Sequence, residues 1–186
     1  MQRTRLRIVI TAGPTREYLD PVRFLSNPST GRMGFALAYE AAKRGHEVTL
    51  VAGPVSLRTP PGVNRVDVTS AREMFAAVKE AAKEADVFIA SAAVADWRPA
   101  EKAVKKLKKY AMVSTLELKR NPDILKSVKC PRKVGFAAET GDTGAEAVRK
   151  CREKKLEFIV ANDVTAPGCG FAVARRILGE LEGDGR

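Results

Sequence analysis

The chain has 186 residues, of which 45% are hydrophobic and 30% are charged, and its formal net charge is +11 at pH 7. This length predicts one domain, residues 1–186, with enough chain to bury a sizeable core. No apolar run approaches the roughly 18 residues of a membrane span and no secretory signal opens the chain, so we expect a cytoplasmic protein without a membrane partner.

Apolar strands alternate with amphipathic helices along the sequence. Strands are predicted at 7–11, 48–52, 64–68, 87–92, 114–118, 134–137 and 158–161, and helices at 33–44, 70–84, 123–128 and 144–155. Gly45 is expected to end the first helix, and Ser70 with Glu73 forms a capping box at the second. Continuous apolar strands are typical of parallel sheets covered on both faces. The sequence therefore predicts an α/β fold, a Rossmann-like three-layer sandwich with a mostly parallel sheet.

The loop after the first strand is much longer than the G-x-G-x-x-G turn of dinucleotide-binding proteins. Gly13 closes the strand, Gly31 and Gly34 open the helix, and Arg, Asn, Ser and Thr residues lie between them. Many donors before a helix N-terminus suit an anionic ligand, which the positive net charge also favours. Because ligands bind beyond the carboxyl ends of parallel strands, the loops at 11–34, 90–109, 136–142 and 162–171 should meet in one site other than an NAD site.

Two other functions are compatible with parts of the sequence. An NAD(P)-dependent reductase would suit the fold, and Tyr39 with Lys43 has the Y-x-x-x-K spacing of short-chain dehydrogenases, but this pair lies on the first helix. The second strand also ends at A-G-P (52–54) without an acidic residue for a cofactor ribose. A nucleic-acid-binding module would use the lysine clusters, but these lack interleaved aromatic residues, so we expect no nucleic-acid partner. The three cysteines and the single histidine form no metal-ligand spacing.

Six strings in order carry a family resemblance. They are I-T-A-G-P-T-R-E with D-P-V-R-F-L-S-N-P-S-T-G-R-M-G-F (10–17 and 20–35), A-A-V-A-D-W-R-P (92–99), K-L-K-K (106–109), K-R-N-P-D-I-L (119–125), G-F-A-A-E-T (135–140) and I-V-A-N-D-V (159–164). Over about residues 6–171 the chain resembles phosphopantothenate–cysteine ligase, in particular the ligase half of the bacterial bifunctional protein that also carries a flavin-dependent decarboxylase. The tail, 171–186, is expected to be shortened or divergent, and no FMN is expected on this chain.

The resemblance implies a two-step ligation in coenzyme A biosynthesis. The carboxylate of 4′-phosphopantothenate attacks the α-phosphate of CTP, and the amine of L-cysteine then displaces CMP from the acyl-cytidylate. The resemblance to the bacterial pattern favours CTP over ATP. It also implies Mg²⁺ with the triphosphate and a homodimer, and it leaves open whether a flavin-dependent decarboxylase is a separate chain.

The resemblance also assigns the site residues. Lys106, ten residues after Asp96, aligns with the catalytic lysine, Asn27 contacts the activated acyl group, and the Lys-rich stretch 98–109 suits a mobile flap. The implied nucleotide-binding residues are Ala90, Ser91, Ala92, Asp96, Lys106, Asn121, Pro122, Asp123, Ile124, Phe136, Lys150 and Lys154. The implied substrate-binding residues are Gly13, Arg23, Asn27, Ser29, Thr30, Gly31 and Ala93.

Several of these residues also have a structural interpretation. Asn27 could form an Asx turn, Arg23 a structural ion pair, and Phe136 part of the core. The N-P-D sequence (121–123) could also be the start of a helix. Lys150 and Lys154 could belong to a solvated helix face.

Overall fold

The computed structural model describes residues 5–108, 115–139, 143–163 and 171–183, with the backbone alone at 138–139, 143–147, 161–163 and 171. In chain order the elements are β1 (Arg7–Ala12), β2 (Arg16–Tyr18), β3 (Phe24–Ser26), α1 (Arg32–Lys43), β4 (Glu47–Ala52), β5 (Val63–Asp67), α2 (Ala71–Ala81), β6 (Val87–Ala90), β7 (Trp97–Pro99), β8 (Leu118–Arg120), α3 (Ile124–Ser127), β9 (Arg132–Glu139), α4 (Thr143–Glu153), β10 (Phe158–Asp163) and α5 (Phe171–Glu182).

Six of the strands form one parallel sheet. Their order is β10-β9-β6-β1-β4-β5, and every neighbouring pair within it is parallel. This is the Rossmann order 3-2-1-4-5-6, in which the chain leaves the central strand first to one side and then to the other. The predicted α/β class and parallel sheet are confirmed.

Two apolar clusters cover the two faces of the sheet. Ile8 and Ile10 of β1 pack into one cluster together with Leu37 of α1 and Leu178 of α5. Successive side chains of a strand point to opposite faces, so Val9 joins the other cluster. Its further members include Val51, Met74, Val78, Phe88 and Ile124. Helices thus lie on both faces of the sheet, as the three-layer prediction requires.

The long loop after β1 is an insertion whose two ends meet. Gly13 (φ +77°) and Gly31 (φ +76°) both adopt the left-handed conformation, and a Cβ built on Gly31 would lie 3.3 Å from Gly13 N. Between them β2 and β3 pair as an antiparallel hairpin, which the sequence did not predict. The Rossmann turn is therefore retained, and the hairpin projects from it.

Three side chains accept hydrogen bonds from backbone N–H groups at the start of α2. Ser70 Oγ accepts from Glu73 N (3.3 Å), and Glu73 Oε2 accepts from Thr69 N (2.8 Å), which confirms the predicted capping pair. Glu17 of β2, which is buried, also accepts from Ala71 N (2.8 Å). The last residue of the first motif is thus a helix cap that ties the hairpin to the sheet domain.

The strand predicted at 114–118 is wrong. Residues 115–117 are not strand, Ser114 lies outside the described residues, and β8 begins at Leu118. It pairs antiparallel with β7, with Trp97 opposite Arg120. The alternation of apolar and polar residues indicated a strand, but the position of the partner strand decides where the ladder forms.

The C-terminal segment forms α5, which packs on α1 through Ala174, Ile177, Leu178 and Leu181. Glu182 accepts from Arg44 (2.6 Å) and pairs with buried His46 Nε2 (2.9 Å). The other ring nitrogen of His46 accepts from Leu6 N (3.3 Å), which leaves Nε2 as the donor to Glu182. The tail therefore completes the helical layer on this face of the sheet.

Candidate active site

A cleft of about 490 Å³ opens at the switch point between β1 and β6. Here the chain leaves neighbouring strands in opposite directions, which is where ligands bind in open α/β sheets. The residues that line it are Thr11, Phe88, Ala90, Ala92, Val94, Ala95, Asp96, Trp97, Arg120, Asn121, Pro122, Asp123, Ile124, Leu125, Phe136 and Lys154.

Buried threonines join the loops after β1 and β6. Thr11 Oγ1 accepts from Ala92 N (3.2 Å), and Thr15 Oγ1 accepts from Ala95 N (3.0 Å). Ala93 N also donates to Gly13 O (2.9 Å). The backbone after β6 is therefore held in a fixed path along one wall of the cleft.

The side chain of Asn121 holds a second wall in place. Its Nδ2 donates to Ala95 O (2.8 Å), its backbone N donates to Asp96 O (2.8 Å), and its Oδ1 accepts from Arg98 Nη1 (3.2 Å). These contacts tie the loop after β8 to the loop before β7. Asn121 thus connects two loops through its hydrogen bonds, whereas the N-cap of α3 is Asp123.

Asp123 and Lys154 form an ion pair at the rim of the cleft. Lys154 Nζ lies 2.9 Å from Asp123 Oδ2, while Asp123 Oδ1 accepts from Lys126 N (3.0 Å) at the start of α3. Burial raises the pKa of Asp123, but the hydrogen bonds from Lys154 and Lys126 N outweigh it, and the pKa falls below 3.8. Lys150 lies in the last turn of α4, and Lys154 directly follows the helix with its backbone N donating to Lys150 O (3.1 Å). Lys150 is not among the cleft-lining residues of the described part of the chain.

Asn27 reaches the cleft wall from the insertion. Its Nδ2 donates to Val94 O (3.1 Å), so the amide is anchored across loops. Ser29 Oγ accepts from Gly31 N (3.3 Å), and Thr30 Oγ1 accepts from Arg32 N (3.4 Å). These two hydroxyls shape the entry to α1.

Arg23 and Lys106 lie away from the cleft lining. Arg23 is paired with Asp20 (3.4 Å) and also donates to Leu107 O (3.4 Å), so it does form the structural ion pair considered from the sequence. Lys106 is exposed on the loop after β7. Ser91 and Ala93 are half-buried after β6 and likewise do not line the cleft.

Two carboxylates of the described residues, Asp96 and Asp123, line the cleft and are exposed; Asp123 is paired with Lys154, which leaves Asp96 to meet a metal-bound phosphate. Among the described residues, no group of three or more His, Cys, Asp or Glu side chains could hold a metal by itself. This donor set fits Mg²⁺, which is commonly held by one or two carboxylates together with substrate phosphates.

The end of β4 does not offer a dinucleotide site. A Cβ on Gly53 would collide with Pro14 O, and Val55 Cγ1 lies 2.9 Å from the Cβ position of Gly13. A Rossmann reductase binds its cofactor ribose near this strand end. Here the insertion fills that space, which argues against the reductase alternative.

Seven of the cleft-lining residues were not predicted as site residues from the sequence, namely Thr11, Phe88, Val94, Ala95, Trp97, Arg120 and Leu125. Arg120 belongs to the quoted K-R-N-P string, and its guanidinium lies 5.1 Å from the centroid of the Trp97 ring. The sequence signal was a basic residue directly before Asn121, but only the pairing of β8 with β7 places it at the cleft. Thr11 was also missed, since a threonine within an apolar strand looks like part of the core.

Comparisons with known proteins identify the family. Residues 4–185 match the family described as DNA/pantothenate metabolism flavoprotein C-terminal domain. The chain belongs to this family. The match extends into the tail that was expected to diverge. A curated relative, the coenzyme A biosynthesis bifunctional protein CoaBC of Vibrio vulnificus, is 53% identical over 171 residues, which are 88% of this chain and 43% of the relative. The chain thus spans less than half the length of this relative.

Solved structures agree with this assignment. The crystal structure of the C-terminal domain of CoaBC has a TM-score of 0.83 at 41% identity, covering 98% of this chain and 97% of that one. A Cab2 variant in complex with phosphopantothenate-cysteine has a TM-score of 0.73 at 17% identity, covering 88% of this chain and 74% of that one. At this identity it shows only that the two folds are alike. The resemblance based on the six strings is confirmed, and the chain corresponds to the C-terminal domain of CoaBC.

Of the helices in the described ranges, none combines the length and the apolar composition needed to cross a membrane.

Proposed function

We propose that the chain is a phosphopantothenate–cysteine ligase that uses CTP and forms an acyl-cytidylate intermediate. The observation that carries the proposal is the cleft at the β1/β6 switch point, lined by residues of the family strings from separate loops. Membership of a family whose matched relatives act in coenzyme A biosynthesis, according to their names, supports it.

In the first step the substrate carboxylate attacks the α-phosphorus of CTP. A P–O bond forms to the acyl oxygen, the bond to the β-phosphate breaks, and pyrophosphate leaves. Chemistry of this kind depends on positioning and on neutralising phosphate charge. Lys106 would neutralise the α-phosphate. Lys154 and Lys150, one helical turn apart, would contact the β- and γ-phosphates.

In the second step the amine of L-cysteine attacks the acyl carbon. A C–N bond forms, the C–O bond to the cytidylate breaks, CMP leaves, and the amine proton passes to solvent. Asn27 would donate a hydrogen bond to the acyl oxygen, because an amide carries two N–H groups and, among the described residues, Val94 O engages one of them. An uncharged donor stabilises the developing charge without forming a competing ion pair.

The remaining nucleotide contacts follow the cleft. Phe136 would pack against the base or ribose, and backbone groups at Ala90 and Ala92, which line the cleft, would contact the phosphates together with that of Ser91 between them. Asp96 would bind ribose hydroxyls or a Mg²⁺ ion held by the triphosphate, which supplies further neutralisation of phosphate charge. The loop 121–124 would close the nucleotide side, with its frame set by Asn121.

Phosphopantothenate would bind beside the insertion. Gly13, Gly31 and Ala93 lie together at the end of β1, and Ser29 and Thr30 lie at the N-terminus of α1, where backbone N–H groups favour phosphate. Arg23 would act at the edge of this region.

A homodimer is proposed on the side of the two small antiparallel sheets, β2-β3 and β7-β8. Phe24 of β3 and Trp97 of β7 are 40% and 44% exposed, which is high for large apolar side chains, and β2 contacts both of these strands. Sedimentation equilibrium should give twice the chain mass, and Phe24→Ser should shift the equilibrium toward the monomer. A monomeric wild-type protein at active concentrations would contradict this part. Decarboxylation and FMN are assigned to a separate domain or chain.

The test is pyrophosphate release by purified protein with phosphopantothenate, comparing CTP, ATP, GTP and UTP with and without cysteine. The proposal predicts release with CTP, and the amide product only when cysteine is present. Release that is independent of phosphopantothenate, or amide formed without a nucleotide, would contradict it.

A further inference from the structure

A buried carboxylate joins the hairpin to the Lys-rich segment, defined here as residues 100–108. Asp20, in the turn between β2 and β3, is fully buried. Its Oδ1 accepts from Val22 N and Arg23 N, both at 2.8 Å, which closes the turn. Its Oδ2 accepts from Leu107 N (3.2 Å), 87 residues along the chain.

The peptide groups of Leu107 are held from both sides. Asp20 binds its N–H, and Arg23 Nη2 donates to its carbonyl oxygen (3.4 Å). Arg23 Nη1 in turn lies 3.4 Å from Asp20 Oδ2, so the two side chains form one unit. The Lys-rich segment is thereby fixed at the residue that follows Lys106.

A second anchor lies four residues earlier. Ala103 N donates to Leu19 O (2.8 Å), next to Asp20 on the hairpin. Between the two anchors the segment faces outward, since Val104 is 90% exposed and Lys106 is exposed. The backbone at Lys106 is therefore set by the hairpin rather than by contacts of its own side chain.

We infer that Asp20 is a positioning residue that acts through Leu107 on Lys106. The inference rests on the proposed function, because it assigns the catalytic charge to Lys106. It gives the insertion a second role, which is to hold the segment that carries the lysine. Asp20 itself does not line the cleft.

The electrostatics of the contact between Asp20 and Leu107 favour the ionised form of the carboxyl group. Burial raises the pKa of Asp20, but three backbone N–H donors and the charge of Arg23 outweigh it, and the pKa lies below its usual value. Asp20→Asn keeps the shape and one oxygen for the turn. Its amide NH₂ at the position of Oδ2 cannot accept from Leu107 N, so this variant removes the Asp20–Leu107 hydrogen bond, together with the ion pair between Oδ2 and Arg23.

The first measurement is amide hydrogen exchange at Leu107, which needs no enzymatic activity. In Asp20→Asn we expect exchange about 10-fold faster or more at Leu107, with unchanged exchange in β1 and β6. Asp67→Asn is the matched control, because Asp67 also pairs with an arginine (2.7 Å) but on exposed β5. Unchanged exchange at Leu107 would overturn the inference. If Asp20→Asn does not fold, Leu107→Pro removes the same N–H from the other side. Because proline has no amide proton, this variant is read by the pyrophosphate-release measurement below, where an unchanged kcat would overturn the inference.

The second measurement is steady-state pyrophosphate release. Asp20→Asn should lower kcat about 100-fold with little change in KM for CTP, because the cleft is intact. Adding Asp20→Asn to Lys106→Gln should cause little further loss, since both changes act on one group. Full additivity would overturn the positioning role. An inactive wild-type protein would overturn the proposed function. The exchange comparison would still decide whether Asp20 holds the backbone of Leu107.

Discussion

The close approach of α1 to β1 gives a quantitative prediction. A Cβ at Gly34 would lie 2.5 Å from Ala12 Cβ and 2.9 Å from Thr11 O. Both neighbours belong to the central strand, so they cannot move without disturbing the sheet. Overpacking of this kind costs about 1–3 kcal/mol. Replacing glycine within a helix by alanine otherwise stabilises by about 1 kcal/mol.

Gly179 of α5 provides the matched control, since a Cβ there would have no atom within 4 Å. Gly179→Ala should raise the free energy of unfolding by about 1 kcal/mol, because only the helix propensity changes. Gly34→Ala should lower it by about 1 kcal/mol, so the two variants should differ by roughly 2 kcal/mol. Urea unfolding followed by far-UV circular dichroism measures both. Equal stabilisation by the two substitutions would refute the close packing.

Three further predictions concern the cleft and its rim. Lys106→Gln should lower turnover about 100-fold without loss of fold, whereas the neighbouring Lys105→Gln should be nearly neutral; equal losses in steady-state pyrophosphate release would contradict the assignment. Asn27→Asp should slow the amide-forming step about 100-fold in single-turnover assays, because a carboxylate cannot donate a hydrogen bond, while Asn64→Asp on β5 should leave it unchanged; an unaltered second step would argue against Asn27. The pKa of Asp123 is lowered in the folded state. Its ion pair and helix cap therefore stabilise the fold at pH values above 3.8, and this contribution is lost as the pH falls through the folded-state pKa. The difference in unfolding free energy between the wild type and Asp123→Asn should therefore be constant near neutral pH and decrease in acid. A difference that does not depend on pH would contradict the ion pair.

Much of the fold could be predicted because the strands are continuous apolar runs. β1, β4 and β6 carry the buried residues that a parallel sheet needs, and turn and capping signals mark the ends of α1 and α2. The order of the strands follows from the Rossmann topology. The two small antiparallel sheets were missed, because strands of three residues have too few positions to show an alternating pattern.

The site was predicted in part for a similar reason. Residues in the strings after β6 and β8 lie at the cleft as expected, because strand ends converge in space. The roles of Asn121, Glu17 and Asp20 depend on partners between 26 and 87 residues away, and no local pattern encodes such partners. Their side chains hold loops together, which only the three-dimensional arrangement reveals.

The most direct test of the account is a crystal structure with phosphopantothenate and a non-hydrolysable CTP analogue. The account predicts the nucleotide in the cleft between Ala92, Asn121 and Phe136, with a phosphate oxygen in contact with Lys154. A nucleotide bound instead beyond Gly53 at the end of β4 would contradict it.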